Sequence, residues 1–231
     1  MTSAPEWTDV LAAAARLQQL LPDAVLVGGT AAATHAAHRV SFDDDHVLAD
    51  LRERFDGVLE HLEQAEGWVT ARVNRPVLIL GSLDGIETGI RQLIRRRPLE
   101  VEKLAVAGGI VVVPTLPEML RIKAWLILRR NATRDFLDFV ALADRLGLDD
   151  AVASVIELDA YYEDQVGAGG RRIATQLAKQ LTAPAPYDLS KVDLGRYRKL
   201  DARWQDWDTV VAASRSTAQR LLSAVADEGA G

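Results

Sequence analysis

The spacing of apolar residues changes along this chain, and the change constrains the fold more than any other feature. Apolar residues recur at helical spacing in residues 9–21 and 48–64, and a short apolar run at 24–27 predicts a buried strand. Short β-branched or alternating segments follow at residues 68–73, 76–83, 85–93, 100–106 and 110–113. Beyond residue 116 the patterns are helical. The sequence therefore predicts an α+β fold, a small mixed sheet with helices followed by an all-helical part.

The same change predicts two domains, an α/β domain at residues 1–115 and a helical domain at residues 116–231. The helix candidates beyond the boundary are residues 117–130, 133–146, 149–162, 170–180 and 207–226. Ligands commonly bind where two domains meet. We therefore expect a ligand cleft between the two domains.

Composition excludes several classes of protein. The 231 residues include no cysteine, which excludes disulfides and cysteine-ligated zinc. The chain has no apolar run of about 18 residues, and residues 1–10 lack the basic start and apolar core of a signal peptide. We therefore expect a cytoplasmic protein with no membrane partner. The net charge of −6 disfavours a purely electrostatic nucleic-acid binder but allows local basic patches.

A pair of glycines ends the predicted strand at residues 24–27 and opens a predicted helix. Gly28 and Gly29 would expose backbone N–H groups at the positive end of that helix, where phosphates bind, and Thr30 adds a hydroxyl. Strand-to-helix turns also use glycine for purely steric reasons. A phosphate site and a structural turn therefore both fit this segment.

Two aspartates separated by one residue lie beyond the glycine pair. Asp43 and Asp45 would point to one face of an extended segment, because side chains alternate along a strand. Such carboxylates can hold Mg²⁺, and a pair of ions would align an attacking hydroxyl with a nucleotide α-phosphate. A solvated acidic loop that caps the next helix is the competing interpretation. The nearby His35, His38 and His46 match no recognised metal-site spacing, so we interpret them as packing or hydrogen-bonding residues.

Two separate blocks of sequence follow an order known from one protein family. The first block is Gly-Gly-Thr-Ala at residues 28–31, followed by His-Arg-Val-Ser-Phe-Asp-Asp-Asp at residues 38–45. The second is Arg-Ile-Lys-Ala at residues 121–124, followed by Arg-Asp-Phe-Leu-Asp at residues 134–138. Together they resemble the signature of the AbiEii/AbiGii-type nucleotidyltransferase toxins. Without the family, the spacing of the second block also fits an Arg134–Asp138 pair on a helix surface.

This resemblance implies a fold and a reaction. It implies a DNA polymerase β-like nucleotidyltransferase domain that uses Mg²⁺ and transfers a nucleoside monophosphate from a nucleoside triphosphate to an acceptor hydroxyl. It also implies RNA, at the tRNA 3′ end, as the acceptor, and a toxin–antitoxin module with a cognate antitoxin as partner.

The resemblance also assigns residues to a metal site, to nucleotide binding and to catalysis. Lys123 is assigned to both nucleotide binding and catalysis. Lys123 would neutralise phosphate charge, and Asp135 would orient Lys123 or activate the acceptor hydroxyl. The groups are Asp43 and Asp45 for the metal; Gly28, Gly29, Thr30, Arg39, Ser41 and Lys123 for the nucleotide; and Asp43, Asp45, Lys123 and Asp135 for catalysis.

Three positions depart from the family pattern. Asp44 and His46 stand where the family usually has apolar residues, and the third departure concerns a metal ligand. Relatives carry a third aspartate on a later strand, and the corresponding segment here, residues 85–90, has Gly89 at that place. Glu87 lies on the same predicted strand face, about 6.5 Å earlier, and is the candidate third metal ligand. Two carboxylates should bind a second Mg²⁺ less well, because the number of charged ligands sets the affinity for hard cations. Two alternatives therefore stay open, a small-molecule nucleotidyltransferase and a nucleotide-binding protein with a decayed metal site.

Basic residues cluster in three segments despite the acidic total. The clusters are Arg91, Arg95, Arg96 and Arg97; Arg121, Lys123, Arg129, Arg130 and Arg134; and Lys191, Arg196, Arg198, Lys199 and Arg203. If they meet at one cleft, they predict contacts with RNA phosphates. The candidate stacking surfaces for bases are Tyr187, Tyr197, Trp204 and Trp207. Solvated charge, with aromatic residues that anchor the C-terminal segment, is the competing interpretation.

Overall fold

A computed structural model describes residues 6–165 and 172–229 of the chain. The chain divides into two compact units. The first comprises the chain up to Ala31 together with Ser41–Thr115, and the second comprises Ala32–Val40 together with the chain from Leu116 onward. Every strand among the described residues belongs to the first unit. The predicted fold class is therefore confirmed, with a mixed sheet and helices first and helices alone afterwards.

The first unit is built around a five-stranded sheet. Its strands are β1 (Val25–Leu26), β2 (Asp44–Leu48), β3 (Trp68–Asn74), β4 (Leu78–Leu83) and β5 (Ile86–Gln92). Their spatial order is β1-β2-β5-β4-β3, in which β2 and β5 run parallel and the other neighbouring pairs are antiparallel. A separate antiparallel hairpin consists of β6 (Val101–Val106) and β7 (Gly109–Pro114).

A hairpin turn at Asp84 and Gly85 joins β4 and β5. These two residues form its turn with φ angles of +53° and +81°. Two consecutive positive φ values suit the right-handed twist of the flanking strands, and glycine adopts them at little cost. Asp84 also forms an ion pair with Arg16, which ties the turn to the first helix.

Three helices begin in the first unit, α1 (Trp7–Leu20), α2 (Gly28–Ala36) and α3 (Leu51–Glu63). α1 begins with a capping box, in which the Glu6 amide donates to Asp9 Oδ2 at 2.8 Å. Apolar stripes of α1 and α3 form one core with the sheet. That core comprises Leu17, Leu21, Ala24, Leu48, Leu51, Phe55, Val58, Leu59, Leu62, Trp68, Ile79, Leu83 and Ile90.

The second unit is helical in its described part. Its α-helices are α4 (Leu116–Arg130), α5 (Thr133–Leu146), α6 (Leu148–Ile156), α7 (Leu158–Tyr161), α8 (Ile173–Thr182) and α9 (Trp207–Gly229). The helix predicted at residues 149–162 is divided into α6 and α7. The predicted helix start at residues 170–171 lies outside the described residues. Among the described residues, no helix combines the length and apolarity needed to cross a membrane.

Candidate functional site

The first candidate site lies where β1 passes into α2. Gly28 begins α2 with a φ of +75°, a left-handed conformation that glycine adopts readily. A β-carbon at Gly28 would lie 3.2 Å from Cβ of Asp45 and 3.3 Å from its Oδ2. Glycine therefore serves both the backbone conformation and the close approach of Asp45. The result is a carboxylate set beside the first turn of a helix.

The first turn of α2 is the predicted phosphate site. The first amides of a helix lack intrahelical acceptors and favour an anion. Thr30 is fully buried, and its hydroxyl donates to the carbonyl oxygen of Asp43 at 2.6 Å. Because the hydroxyl hydrogen of Thr30 is used in this bond to Asp43, the backbone amides of the first turn are the donors that remain for a phosphate. The nucleotide roles of Gly28, Gly29 and Thr30 stay predictions.

Asp43 and Asp45 flank a buried residue at the start of β2. Asp43 immediately precedes the strand, is exposed, and accepts a hydrogen bond from Ser41 Oγ at 3.2 Å. Asp45 is 27% exposed, whereas Asp44 between them is fully buried. Burial therefore alternates along this segment, with Asp43 and Asp45 on the side away from the core. Ser41, predicted to contact the nucleotide, here holds Asp43 in place.

The register of β2 and β5 decides what lies beside Asp45. Asp45 pairs with Gly89 in the parallel ladder, and a β-carbon at Gly89 would lie only 2.6 Å from Asp45 Oδ1. Arg91, two residues further along the same face of β5, donates from Nε to the same Oδ1 at 3.3 Å. Glu87 lies on this face two residues before Gly89, and its side chain is exposed. Residue 89, where the family has its third acid, thus lies next to Asp45. The Asp45 carboxylate occupies the space that a side chain at residue 89 would need.

The carboxylates of Asp43 and Asp45 suit a hard divalent cation such as Mg²⁺. Such an ion prefers oxygen ligands and completes its shell with waters and substrate phosphate oxygens. Residues 6–165 and 172–229 contain no group of three or more His, Asp or Glu side chains that could hold a metal ion. A cation held by Asp43 and Asp45 would therefore need further ligands from water or a nucleotide. A metal role for Glu87 stays a prediction.

Asp44 and His46 lie on the opposite face of β2, in the core. Both side chains are fully buried, and His46 Nδ1 lies 3.0 Å from Asp44 Oδ1. Within the described part of the chain, none of their side-chain oxygen or nitrogen atoms makes a contact with hydrogen-bond geometry. The face of β2 opposite Asp45 therefore carries this buried polar pair together with the core residue Leu48.

The lysine and the first aspartate of the second sequence block lie in the helical unit. Lys123 on α4 is 1% exposed, and its Nζ lies 2.7 Å from Asp138 Oδ2 and 3.8 Å from Asp135 Oδ1. Asp135 is fully buried, and its two oxygens accept hydrogen bonds from Arg130 at 2.5 and 2.7 Å. Asp135 is therefore paired chiefly with Arg130. This geometry does not favour its predicted role in activating an acceptor hydroxyl.

Asp138 is the central residue of this second cluster, and its interpretation as a helix-surface partner of Arg134 is wrong. Asp138 is fully buried, accepts hydrogen bonds from Arg39 at 2.7 and 3.1 Å, and lies 2.8 Å from His38 Nε2. Burial alone would raise the pKa of Asp138. The charges of Arg39 and Lys123 and the hydrogen bonds from His38 and Arg39 outweigh burial and hold that pKa well below its usual range.

A signal for the burial of Asp138 is present in the sequence of α5. Residues 136–143 read Phe-Leu-Asp-Phe-Val-Ala-Leu-Ala. A helix that is apolar on all sides is buried, and an aspartate inside it needs partners. The partners themselves had no local signal, because His38 and Arg39 lie 100 and 99 residues away in the chain.

Several members of the basic clusters are bonded to groups of the protein itself. Arg121 is buried and pairs with Glu118 at 2.9 Å. Arg95 is also buried and donates to the carbonyl oxygens of Arg97 and Pro98 at 3.0 and 3.1 Å. These arginines stabilise the local structure, which reduces the positive charge available to an RNA backbone.

The aromatic residues of the C-terminal segment differ in exposure. Trp204 is buried, so it offers no stacking surface, and the guanidinium of Arg203 lies 4.4 Å from its ring centroid. Arg203 also pairs with Asp144 at 2.7 Å. Trp207 contacts Phe136 edge to face, whereas Tyr187 is 69% exposed. The interpretation of Trp204 and Trp207 as anchors fits this geometry.

Comparison with known proteins gives relatives in mycobacteria. No model of a known protein family matches the sequence. The heme uptake protein MmpL11 of Mycobacterium tuberculosis is 32% identical over 211 residues, which cover 85% of this chain and 21% of that protein. The mycolic acid-containing lipids exporter MmpL11 of Mycolicibacterium smegmatis is 34% identical over 129 residues, which cover 55% of this chain and 13% of that protein. The chain thus spans about a fifth or less of the length of these relatives.

A solved structure gives the fold. The crystal structure of a provisionally assigned nucleotidyltransferase from H. pylori aligns over 98% of this chain and 98% of its own, with a TM-score of 0.54 and 15% identity. The chain has a nucleotidyltransferase fold. The expected fold of the nucleotidyltransferase superfamily is therefore confirmed. Membership of the AbiEii/AbiGii family stays a proposal, because a likeness at this identity shows the fold alone.

Proposed function

We propose that this protein is a Mg²⁺-dependent nucleotidyltransferase of the AbiEii/AbiGii toxin type. The observation that carries the proposal is the position of Asp45 on the open side of β2, beside the first turn of α2. A metal-binding carboxylate and a phosphate-binding helix start are the two parts that nucleotidyl transfer needs next to each other. The reaction would join an acceptor oxygen to the α-phosphorus of a nucleoside triphosphate and release pyrophosphate.

The residues of the first unit would bind and position the nucleotide. Asp43 and Asp45 would hold Mg²⁺, and bound Mg²⁺ supplies positive charge that balances the phosphate oxygens. The first-turn amides of α2 would bind the triphosphate. Thr30 and Ser41 would keep Asp43 in place through the hydrogen bonds described above. Positioning and charge stabilisation account for most catalysis of this kind.

In the helical unit, Lys123 and Arg39 are the cations that the resemblance assigns to the nucleotide. Lys123 is the proposed cation for phosphate oxygens, and Asp138 holds its ammonium group at 2.7 Å. Arg39, which the resemblance assigns to the nucleotide, is oriented by the same Asp138. Asp138 is therefore the proposed positioning residue for both cations, and Asp135 pairs with Arg130.

RNA, at the tRNA 3′ end, is the proposed acceptor, and a cognate antitoxin is the proposed protein partner. Both follow from the resemblance, and the cytoplasm is the proposed location. Exposed residues of the C-terminal segment support an RNA contact, since Arg196 is 88% exposed and Tyr187 is 69% exposed. Arginine binds phosphates, and tyrosine stacks on unpaired bases.

Transfer of label from nucleoside triphosphates to total tRNA in the presence of Mg²⁺ tests this function. The Asp43→Asn, Asp45→Asn double variant should lose label incorporation by about a hundredfold or more, because it removes the charged metal ligands. Asp227→Asn, an isosteric change at an exposed residue of α9, is the matched control and should retain activity. Incorporation that survives in the double variant would rule out the proposed site. Replacing tRNA by small hydroxyl compounds tests the alternative acceptor.

Nucleotide binding without transfer is the second candidate function. Gly89 favours it, because no third acid stands beside Asp45 and no three-ligand metal group exists among the described residues. In that case equilibrium dialysis would detect nucleoside triphosphate binding that depends on Asp45, while no label would enter any acceptor.

A further inference from the structure

The face of the sheet that carries Asp45 also carries a positively charged side chain, Arg91. Arg91 Nε donates to Asp45 Oδ1 at 3.3 Å, and the two side chains are 48% and 27% exposed. An ion pair this exposed contributes little to folding stability, so its main effect is on the charge of the site. We propose that Arg91 supplies the second positive charge of this site, and that the site binds one divalent cation rather than two. The inference rests on the proposed function.

The space beside Asp45 leaves no room for a third acidic ligand in the present arrangement. Oδ2 of Asp45 lies against Gly28, and Oδ1 lies against Gly89, with the close approaches given above. A carboxylate at residue 89 would require the Asp45 side chain to turn away. The two glycines and Arg91 therefore fix the Asp45 carboxylate in an orientation that serves one ion.

The charges of the side chains beside Asp45 also favour a single bound cation. The two proposed metal ligands, Asp43 and Asp45, bring two negative charges, and Arg91 balances one of them. Exposed Glu87 lies on the same face but belongs to no three-ligand group in the described part of the chain. A second hard cation would need further charged ligands, because ligand charge sets its affinity.

The guanidinium of Arg91 is suited to replace that second cation. A guanidinium carries five N–H donors in a planar fork that matches carboxylate and phosphate oxygens. Asp45 accepts from Nε, and the outer nitrogens of the fork can donate to a phosphate oxygen on the same face. Arg91 would thus connect Asp45 to the bound nucleotide and balance phosphate charge without moving from its strand.

Titration of the full chain with Mn²⁺, followed by electron paramagnetic resonance, tests the inference, with α,β-methylene-ATP as the nucleotide probe. The natural chain should bind one Mn²⁺. Arg91→Gln should bind Mn²⁺ roughly tenfold more tightly without nucleotide, since a nearby positive charge is gone, and should bind the analogue more weakly. Arg72→Gln, at an exposed arginine of β3, makes the same charge change and should alter neither affinity.

A double variant, Gly89→Asp with Arg91→Gln, should bind two Mn²⁺ ions in the presence of the analogue. Two ions on the natural chain, one ion on the double variant, or equal effects of the Arg91 and Arg72 changes would each overturn the inference. Absence of any Mn²⁺ binding would overturn it as well. Absence of label transfer with one-ion binding and its Arg91 dependence intact would defeat the proposed function and leave the inference standing.

Discussion

Gly28 combines two constraints, and they can be separated by experiment. Its φ is +75°, and a β-carbon there would press on Asp45. Gly85 in the β4–β5 turn shares the positive φ, at +81°, but a β-carbon there would meet no atom within 4 Å. The pair therefore distinguishes backbone strain from displacement of the carboxylate.

Alanine at either glycine should lower the free energy of unfolding by about 1–2 kcal/mol, the cost of a left-handed conformation for a residue with a β-carbon. Gly28→Ala alone should also weaken Mn²⁺ binding, by roughly tenfold, because it moves Asp45 away from the ion. Urea unfolding and Mn²⁺ titration measure the two effects. Equal Mn²⁺ affinities in the two variants would contradict the role assigned to Gly28.

Asp138→Asn should be strongly destabilising. It removes the counter-charge of Lys123 and Arg39, and breaking a buried ion pair from one side costs about 3–5 kcal/mol. Asp144→Asn is the matched control, because Asp144 is 47% exposed and pairs with Arg203 at the surface. The control should cost less than about 1 kcal/mol. Urea unfolding compares them, and similar losses in both would show that the buried cluster is not tightly coupled.

The start of α5 depends on a residue far away in the chain. Oδ1 of Asp188 accepts hydrogen bonds from the amide and the hydroxyl of Thr133, both at 2.8 Å. The Asp188 side chain therefore caps the N-terminus of α5, although 55 residues separate Asp188 from Thr133. It therefore ties the C-terminal segment to the helix that carries Asp135 and Asp138.

Asp188→Ala should cost about 1–2 kcal/mol of unfolding free energy, the usual range for a lost cap. Faster amide hydrogen exchange should be confined largely to the first turn of α5. Asp193→Ala removes an exposed local cap, on the Gly195 amide at 3.0 Å, and should leave α5 unchanged. Uniformly faster exchange throughout the second unit would instead indicate a general loss of packing.

Local periodicity predicted most elements, because a helix or strand must bury one side. The helix predicted at residues 133–146 has those same bounds, and the strand predicted at 68–73 is β3. β2 was less predictable. An extended segment was expected at Asp43 and Asp45, but the strand begins at Asp44 because its ladder with β5 begins at the Asp44–Thr88 pair. Strand pairing between distant segments has no local signal.

The positions of the candidate residues were partly predictable, whereas most of their contacts were not. Asp43 and Asp45 could be placed on one side from alternation alone. The hydrogen bond from Thr30 to Asp43 and the bonds from His38 and Arg39 to Asp138 depend on tertiary structure. Glycine at residue 89 could be read as a missing acid, whereas the ion pair of Arg91 with Asp45 required the register of β2 against β5.

The stability of the molecule as a whole should depend on pH through Asp138. Its folded-state pKa is held well below the usual value, with burial opposed by the charges of Arg39 and Lys123. A carboxyl group with a depressed folded pKa stabilises the fold above its unfolded pKa, about 3.9. That contribution is lost as pH falls below the unfolded value toward the folded one.

Urea unfolding between about pH 5 and pH 3 should therefore show a falling free energy of unfolding for the natural chain. Asp138→Asn should show a smaller fall over the same range, since its side chain does not titrate. If the free energy of unfolding of Asp138→Asn fell with pH as steeply as that of the natural chain, other carboxyl groups would dominate acid unfolding. Asp144→Asn again provides the control, because its exposed carboxyl should contribute little to the slope.

The glycine beside Asp45 also bears on how this site could be explored by random mutation. Glycine and aspartate codons differ at the second base alone when the third base is a pyrimidine. Aspartate at residue 89 is then within a single-base change, and the atom in its way is the end of a side chain that can rotate. An ordinary mutant library would therefore contain chains with the third acid in place.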